Sequence, residues 1–268
     1  MFMKYLPYIL VSLLFVLFYR LNAQTEYFTA SSYTRGGEVL PYRIMYPEGF
    51  EVSGKYPLIL FLHGAGERGT DNQKQLVHGS KFFEQYNRRD YPAVVIFPQC
   101  PENQYWAAVD FTWYDDGSRT FTFRPDKDAT VPMKLVMSML DSLRTTPWID
   151  DTRIYVGGLS MGGMGTFELI YRQPEIFAAA FPVCGGGKPE TAPFFADKVP
   201  VWVFHGDADP VVPFKLSTDM VEALRKAGAD PKFTIYPGVG HNAWDYTFKE
   251  PELIPWLFSQ KKKFQREE

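Results

Sequence analysis

Residues 154–166 read IYVGGLSMGGMGT, in which an apolar run leads into a serine surrounded by glycines. The run IYV is apolar and partly β-branched, as in a strand buried on both faces of a parallel sheet. A stretch typical of a helix follows Ser160, so the chain must turn sharply at the serine, and glycine permits such a turn. The stretch therefore predicts a strand, a tight turn and a helix. Its glycines either only allow the turn or also expose the Ser160 hydroxyl for chemistry.

The same alternation of segment types extends along the chain from about residue 25. Strand-like runs lie at 40–46, 56–64, 93–99, 153–160, 177–185, 199–207 and 232–238, and helix-like stretches lie at 131–146, 160–173 and 217–228. The last helix is expected to begin at a Ser/Thr/Asp cluster and to end at Gly228. Alternating strands and helices predict an α/β fold with a mostly parallel sheet and helices on both faces. No linker-like or repetitive segment interrupts the pattern, so residues 24–268 are interpreted as one domain.

The composition argues against some partners and site types. The net charge of the 268-residue chain is −3 and its basic residues are scattered, so we expect no nucleic-acid partner. Its two cysteines, Cys100 and Cys184, are too few for a disulfide framework and lack metal-ligand spacing. We therefore expect two separate, half-buried thiols and no metal site, although a pairing of the two stays open.

The first 23 residues resemble a secretory signal. Lys4 precedes an uncharged, largely apolar stretch at 5–19, and Ala23 is a small residue at which cleavage can occur. Arg20 and Leu21 fit such a cleavage site poorly, so an uncleaved anchor is the alternative, although about 20 apolar residues are usually needed to cross a bilayer. We predict export to the periplasm or the cell exterior, without stable membrane insertion of residues 24–268.

Gly158-Leu159-Ser160-Met161-Gly162 matches the pattern G-x-S-x-G. Between a strand and a helix this pattern forms a strained elbow, in which only small residues fit two positions from the serine and the hydroxyl projects at the sheet edge. A serine hydroxyl becomes an effective nucleophile only beside a base that an acid orients. On this type of fold these residues follow in the order serine, acid, histidine.

Two of the four histidines follow Ser160 in the chain. His205 lies at the end of a predicted strand, whereas His241 lies in the loop YPGVGHNAWD beyond the last predicted strand, where it can reach back to the serine. We therefore predict His241 as the base. The stretch HGDADPVVP offers two acids: Asp209, followed by a proline, is predicted to orient His241, and Asp207 is predicted to shape the turn.

Acyl transfer also needs backbone N–H groups that bind the developing negative charge. We predict that one belongs to Met161, directly after the serine, and another to Ala65 in the sequence HGAG that follows an earlier strand. His63, at the end of that strand, is expected to be structural. Glu67 and Arg68 are expected to form a local ion pair, with the binding of a substrate carboxylate by Arg68 as the alternative.

The motifs HGAG, GLSMGG, HGDADPVVP and GHNAW, in this order, resemble those of serine esterases of the α/β-hydrolase fold. The resemblance covers residues 40–258 and extends to compact secreted feruloyl and acetyl-xylan esterases, polyhydroxybutyrate-depolymerase-like proteins and phospholipase/carboxylesterase-like proteins. It implies a Ser160–Asp209–His241 triad, an acyl-enzyme mechanism and no cofactor. Only the short connection PETAPFFADK stands where lipases carry a helical cap, so no large cap domain is expected.

An aromatic-rich stretch at 100–130 follows a predicted strand end, where open α/β sheets usually bind ligands. Trp106, Trp113 and Tyr114 in this stretch, and Trp244 after the histidine loop, are candidates for stacking on a sugar or an aromatic acyl group. The alternative is that these rings only pack within the protein, because aromatic side chains bury a large apolar area.

These features predict a serine esterase that hydrolyses acylated plant polysaccharide or its fragments, with feruloyl or acetyl esters as substrates. Three alternatives stay open: a general carboxylesterase or lysophospholipase-type enzyme, a non-catalytic carbohydrate-binding protein on a hydrolase scaffold, and a serine peptidase. The acyl group, the alcohol and the oligomeric state do not follow from the sequence.

Overall fold

A central sheet of eight strands organises the computed structural model, which describes residues 27–87, 90–115 and 119–262. The predicted signal at residues 1–23 lies outside these ranges. The strands in chain order are β1 (Thr29–Arg35), β2 (Glu38–Met45), β3 (Tyr56–Leu62), β4 (Val94–Pro98), β5 (Val109–Trp113), β6 (Arg119–Phe123), β7 (Ile149–Leu159), β8 (Ala179–Val183), β9 (Trp202–Gly206) and β10 (Lys232–Tyr236). Strands β5 and β6 pair with each other in a separate antiparallel sheet.

The strands of the central sheet lie in the order β1-β2-β4-β3-β7-β8-β9-β10. Strand β2 pairs antiparallel with both β1 and β4, and every pairing from β4 onward to β10 is parallel. This arrangement confirms the predicted, mostly parallel sheet. Because parallel strands end at the same edge, the loops after β3, β7, β9 and β10 meet there.

Helices cover both faces of the sheet, as predicted. The described α-helices are α1 (Ser80–Asn87), α2 (Val131–Arg144), α3 (Met161–Arg172), α4 (Lys215–Lys226), α5 (Trp244–Thr247) and α6 (Leu253–Ser259). Side chains of α2, α3 and α4 share one buried core with Leu58, Leu60 and Leu62 of β3, whereas α1 and α6 share the opposite core with Ile59 and Phe61. Successive side chains of a strand point to opposite faces, so the continuous apolar run of β3 serves both cores.

The structure differs from the sequence prediction mainly in polar and short elements. Strand β1, with the sequence TASSYTR, lacks an apolar run because it is an edge strand that pairs with β2 alone. Helix α4 begins at Lys215, before the predicted polar cluster, and Phe214 at its N-cap makes no side-chain capping bond, so the predicted cap is wrong. Gly228, with a φ of 89°, follows the end of this helix as predicted.

The connection between β8 and β9 is short and carries no α-helical cap. Residues 184–201 hold a 3-10 segment, Pro189–Phe194, and no α-helix within this fully described stretch.

Cys100 and Cys184 are free thiols that are fully rather than half buried. No helix in the described ranges combines the length and the apolarity that are needed to cross a membrane.

Candidate active site

Ser160 lies between the last residue of β7 and the first residue of α3, at the predicted sharp turn. Its φ of 54° and ψ of −115° place a non-glycine residue in a strained backbone conformation. The neighbouring glycines make this turn sterically feasible. A Cβ atom on Gly158 would lie 2.5 Å from the carbonyl oxygen of Gly162, and a Cβ atom on Gly162 would overlap the carbonyl oxygen of Leu62.

The structure brings Ser160 together with His241 and Asp209. The Nε2 atom of His241 lies 2.9 Å from the Ser160 Oγ atom, and its Nδ1 atom lies 2.7 Å from the Asp209 Oδ2 atom. Ser160 follows β7, Asp209 follows β9 and His241 follows β10, so the three residues come from three strand ends at one edge of the sheet. Asp207 instead accepts a hydrogen bond of 2.6 Å from the Gly238 N–H, which fits its predicted role in shaping the turn.

The surroundings of Asp209 keep its carboxyl group ionised. Burial alone would raise the pKa of Asp209, but hydrogen bonds from His205, His241 and the N–H groups of Val212 and Val211 outweigh burial and hold this pKa well below its usual range. Because the ionised carboxylate can only accept, the His241 Nδ1 atom carries the proton. The Nε2 atom of the neutral ring is then free to take the proton of the Ser160 hydroxyl.

Met161 and Ala65, the two predicted oxyanion donors, each stand at the start of a helical segment. Met161 is the first residue of α3, and Ala65 is the first residue of a 3-10 segment, Ala65–Glu67, after β3. The first N–H groups of a helix have no intrahelical acceptor, so both can donate to a substrate oxygen. The loop packs directly on the elbow, since a Cβ atom on Gly64 would lie 2.7 Å from the Leu159 Cδ1 atom.

His63 anchors the loop that carries Ala65. Its Nε2 atom accepts a hydrogen bond of 2.9 Å from the Cys100 N–H, so its Nδ1 atom is the donor to the Gly64 carbonyl oxygen at 2.6 Å. Burial lowers the pKa of His63 to about 4, which keeps the ring neutral near pH 7. These contacts match the structural role that the sequence predicts for His63.

The predicted ion pair between Glu67 and Arg68 is wrong. The Arg68 side chain donates to the carbonyl oxygens of Ala65 at 2.9 Å and Gln104 at 3.3 Å, whereas a Glu67 carboxylate oxygen lies 3.7 Å from the His78 Nε2 atom. Arg68 therefore ties the Ala65 loop to the aromatic-rich stretch. The Arg68 guanidinium binds carbonyl oxygens rather than the adjacent Glu67 carboxylate. The charges of neighbouring residues in the sequence do not predict this preference.

The four aromatic candidates occupy different environments. Trp106 is fully buried, and its indole N–H donates to the His63 carbonyl oxygen at 3.1 Å, so its predicted contact with substrate is wrong. Trp113 and Tyr114 are 64% and 50% exposed, and their contact with substrate stays a prediction. The Trp244 ring lies 5.3 Å from the His241 ring, between centroids, and thus borders the candidate site.

His205 is a neighbour of Asp209 for which the sequence predicted no functional role. This residue of β9 is fully buried, and its Nε2 atom lies 3.2 Å from the Asp209 Oδ2 atom. The available signal was its position in HGDAD, where a polar residue ends an otherwise apolar strand and so needs a buried partner.

Cys184, Asp209 and His241 each place one potential metal-ligand atom within 4.8 Å of the other two. Metal ligation requires a thiolate, but burial raises the pKa of the Cys184 thiol well above its usual range. The thiol donates to the His241 carbonyl oxygen at 3.4 Å, and the ring and the carboxylate already bond to each other. We therefore assign these atoms to the triad and its support.

Residues 53–250 match the model of the phospholipase/carboxylesterase family, and this range contains the whole elbow, acid and histidine arrangement. The chain belongs to this family. It is similar to acyl-protein thioesterase 1 of Neurospora crassa, with 31% identity over 69% of this chain and 80% of the relative. It is also similar to a probable carboxylesterase of Oryza sativa subsp. japonica, with 28% identity over 74% of this chain and 86% of the relative.

Solved structures agree with this family membership. A thermostable esterase superposes with a TM-score of 0.79 and 35% identity; the match covers 89% of this chain and 64% of the length of that esterase. A ferulic acid esterase superposes with a TM-score of 0.61 at 16% identity, over 86% of this chain and 97% of that one, which shows the fold alone.

As a member of this phospholipase/carboxylesterase family, the protein is a hydrolase of the carboxylesterase or thioesterase type. It has the α/β-hydrolase fold that the ordered motifs predicted. The similarities favour the general carboxylesterase alternative over the predicted preference for acylated plant polysaccharide.

Proposed function

We propose that the protein is a general carboxylesterase that uses Ser160 as nucleophile, His241 as base and Asp209 as the acid that orients the base. The observation that carries this proposal is the separation of 2.9 Å between the His241 Nε2 atom and the Ser160 Oγ atom. This separation lies within hydrogen-bond reach, as a nucleophile and its base require.

Hydrolysis then proceeds in two steps. The Ser160 Oγ atom attacks the acyl carbon while His241 takes its proton, and the N–H groups of Met161 and Ala65 bind the resulting oxyanion. The bond to the leaving alcohol or thiol breaks as His241 returns the proton to it, which leaves an acyl group on Ser160. A water molecule, deprotonated by His241, attacks this acyl group in the same way and releases the carboxylic acid.

The Trp244 ring beside His241 offers an apolar surface to the acyl group, and the β8–β9 connection carries a 3-10 segment but no α-helix. The same geometry accepts oxygen and sulfur esters, because only the leaving atom differs. The names of the relatives, a thioesterase and a carboxylesterase, support both substrate types.

Acylated plant polysaccharide is the second candidate substrate. The exposed rings of Trp113, at the end of β5, and Tyr114, directly after it, favour it, because exposed aromatic rings can stack on sugars. The burial of Trp106 weakens this candidate, since one of the four rings predicted to stack on the substrate is unavailable.

A substrate panel tests the proposal. We expect the protein to hydrolyse p-nitrophenyl acetate, p-nitrophenyl butyrate and a short S-acyl thioester, and we expect Ser160→Ala to abolish all three activities while it keeps the wild-type melting temperature. A folded wild-type protein that hydrolyses none of them would contradict the proposal.

Methyl ferulate and acetylated xylan, assayed in parallel, decide between the two substrate classes. A much higher kcat/KM for these two compounds than for the p-nitrophenyl esters would favour the second candidate. In that case Trp113→Ala should raise KM for acetylated xylan and leave the hydrolysis of p-nitrophenyl acetate unchanged.

A further inference from the structure

A second imidazole faces the carboxylate that orients His241. The Nε2 atom of His205 lies 3.2 Å from the Asp209 Oδ2 atom and 3.1 Å from the Val212 carbonyl oxygen. Its Nδ1 atom lies 2.7 Å from the Ser217 Oγ atom of helix α4. His205 is fully buried within β9, so water does not compete for these contacts.

The neighbours of His205 assign a proton to its Nε2 atom. An ionised carboxylate and a carbonyl oxygen can only accept hydrogen bonds, so the nitrogen that faces both must be a donor. The Ser217 hydroxyl can donate or accept and also lies 3.0 Å from the Gly185 carbonyl oxygen, so the Nδ1 atom has a partner in either protonation state. The contact between His205 and Asp209 is therefore a directed N–H donation to the carboxylate.

This donation completes the coordination of the Asp209 carboxylate. The Oδ1 atom accepts from the N–H groups of Val211 at 2.8 Å and Val212 at 3.0 Å. The Oδ2 atom accepts from His241 at 2.7 Å and from His205 at 3.2 Å. Rotation of the carboxylate would break bonds on both oxygens, so the Oδ2 atom stays directed at the His241 ring.

We propose that His205 is a positioning residue of the esterase: its Nε2–H group fixes the Asp209 Oδ2 atom so that Asp209 holds His241 against Ser160. This inference rests on the proposed function of the triad. The hydrogen bond from His205 is also the largest of the effects that lower the pKa of Asp209, which agrees with a contact to the ionised carboxylate.

The shared oxygen also tunes the base. The hydrogen bond from His205 reduces the negative charge that the Oδ2 atom presents to His241. Loss of this donor should therefore make Asp209 stabilise the protonated form of His241 more strongly. The titratable groups that face this cluster are Asp209 after β9, His241 after β10 and the Cys184 thiol at the end of β8. Without the His205 donor, the acid limb of activity should move to higher pH.

Two substitutions of similar polarity separate this role from simple packing. In His205→Gln the side-chain NH2 group reaches about as far as the imidazole Nε2 atom and keeps the donor to Asp209. In His205→Asn the amide reaches only about as far as the Nδ1 atom, so the partner Ser217 is kept and Asp209 loses its donor. Ser217→Ala is the matched control, because it perturbs the same buried cluster and leaves the Nε2–H donation intact.

The experiment measures kcat and KM for p-nitrophenyl acetate across pH in all four proteins, normalised to the folded fraction. We expect His205→Asn to lower kcat by roughly 10–100-fold at an almost unchanged KM and to move the acid limb up by roughly 0.5 pH unit. His205→Gln should stay close to wild type on both measures, and Ser217→Ala should not move the acid limb. Equal losses in His205→Asn and Ser217→Ala, or an unmoved acid limb in His205→Asn, would overturn the proposal.

Nitrogen NMR of the histidine-labelled wild-type protein adds a test that needs neither substrate nor variant. We expect the His205 Nε2 atom to be protonated at neutral pH; an unprotonated Nε2 atom would overturn the inference even if the Asn variant failed to fold. If instead the folded wild type hydrolyses no ester, the proposed function fails, while the NMR result still decides whether His205 donates to Asp209.

Discussion

Gly158 and Gly162 flank Ser160 so closely that a Cβ atom on Gly158 would lie 2.5 Å from the carbonyl oxygen of Gly162. This approach lets the chain leave β7, place Ser160 at a φ of 54° and enter α3 within one residue. The G-x-S-x-G pattern is thus a packing requirement of the elbow. This strained turn also places the Ser160 Oγ atom 2.9 Å from the His241 Nε2 atom.

Gly162→Ala should destabilise the protein strongly. The added Cβ atom would overlap the Leu62 carbonyl oxygen, and backbone atoms cannot move aside as a flexible side chain can. We expect the free energy of unfolding to fall by about 3 kcal/mol or more, with a drop of roughly 6–12 °C in the melting temperature. Gly66→Ala is the control, because its added Cβ atom meets nothing within 4 Å, and it should change stability by less than about 0.5 kcal/mol. Equal melting temperatures for the two variants would contradict this account of the elbow.

Truncation of Trp106 should destabilise the protein far more than truncation of Trp113. Trp106 is fully buried and donates to the His63 carbonyl oxygen, so Trp106→Ala should lower the free energy of unfolding by about 3–5 kcal/mol in urea titrations. Trp113 is 64% exposed, so Trp113→Ala should change that free energy by less than about 1 kcal/mol. A larger loss in Trp113→Ala than in Trp106→Ala would show that the two environments are misassigned.

The sequence predicted most clearly the strands that are buried on both faces of the sheet. The run at 56–64 is apolar at successive positions because β3 contributes side chains to both cores. This continuity identified it as a buried parallel strand. Strand β1 carries no such signal, since one of its sides pairs with no strand of the sheet and most of its side chains are exposed. The short helices α5 and α6 follow the His241 loop and depend on tertiary packing, which outweighs their weak local pattern.

Some residues of the candidate site were likewise predictable from the sequence, and others were not. Chain order and strand ends were enough to select Ser160, Asp209 and His241, because each role needs a particular chemistry at a particular edge. The burial of Trp106 and the partners of Arg68 were not predictable, since aromatic and guanidinium groups find favourable contacts in many environments. His205 needed the structure as well, because only its distance from Asp209 separates it from an ordinary buried histidine.

The stability of the protein should fall as the pH is lowered from 7 to 5, in part because of His63. Its folded pKa of about 4 lies below the unfolded value of 6.5, so its neutral form stabilises the fold above pH 6.5 and this contribution is lost as the pH falls towards 4. From these two values we expect a loss of about 2 kcal/mol between pH 7 and pH 5, measured by urea unfolding. His63→Gln should lose this part of the pH dependence whatever its absolute stability. His78→Gln, at a partly exposed position, is the control that should keep it.

Asp209→Asn should reduce kcat on short aryl esters by a factor on the order of 10³–10⁴ at pH 7. The amide no longer imposes a proton on the His241 Nδ1 atom and no longer stabilises the charged ring during attack. Asp207→Asn is the matched control, since Asp207 bonds the Gly238 N–H and makes no contact with His241 among the described hydrogen bonds. A comparable loss of kcat in both variants would contradict the assignment of the acid.

Covalent labelling of Ser160 tests the central claim most directly. The wild-type protein is treated with a fluorophosphonate, and its intact mass and peptide map are compared with those of Ser160→Ala at equal folded fraction. The account predicts one adduct per wild-type molecule, located on the peptide that contains Ser160, and no adduct in the variant. A folded wild-type protein that stays unlabelled, or an adduct that persists in Ser160→Ala, would contradict it.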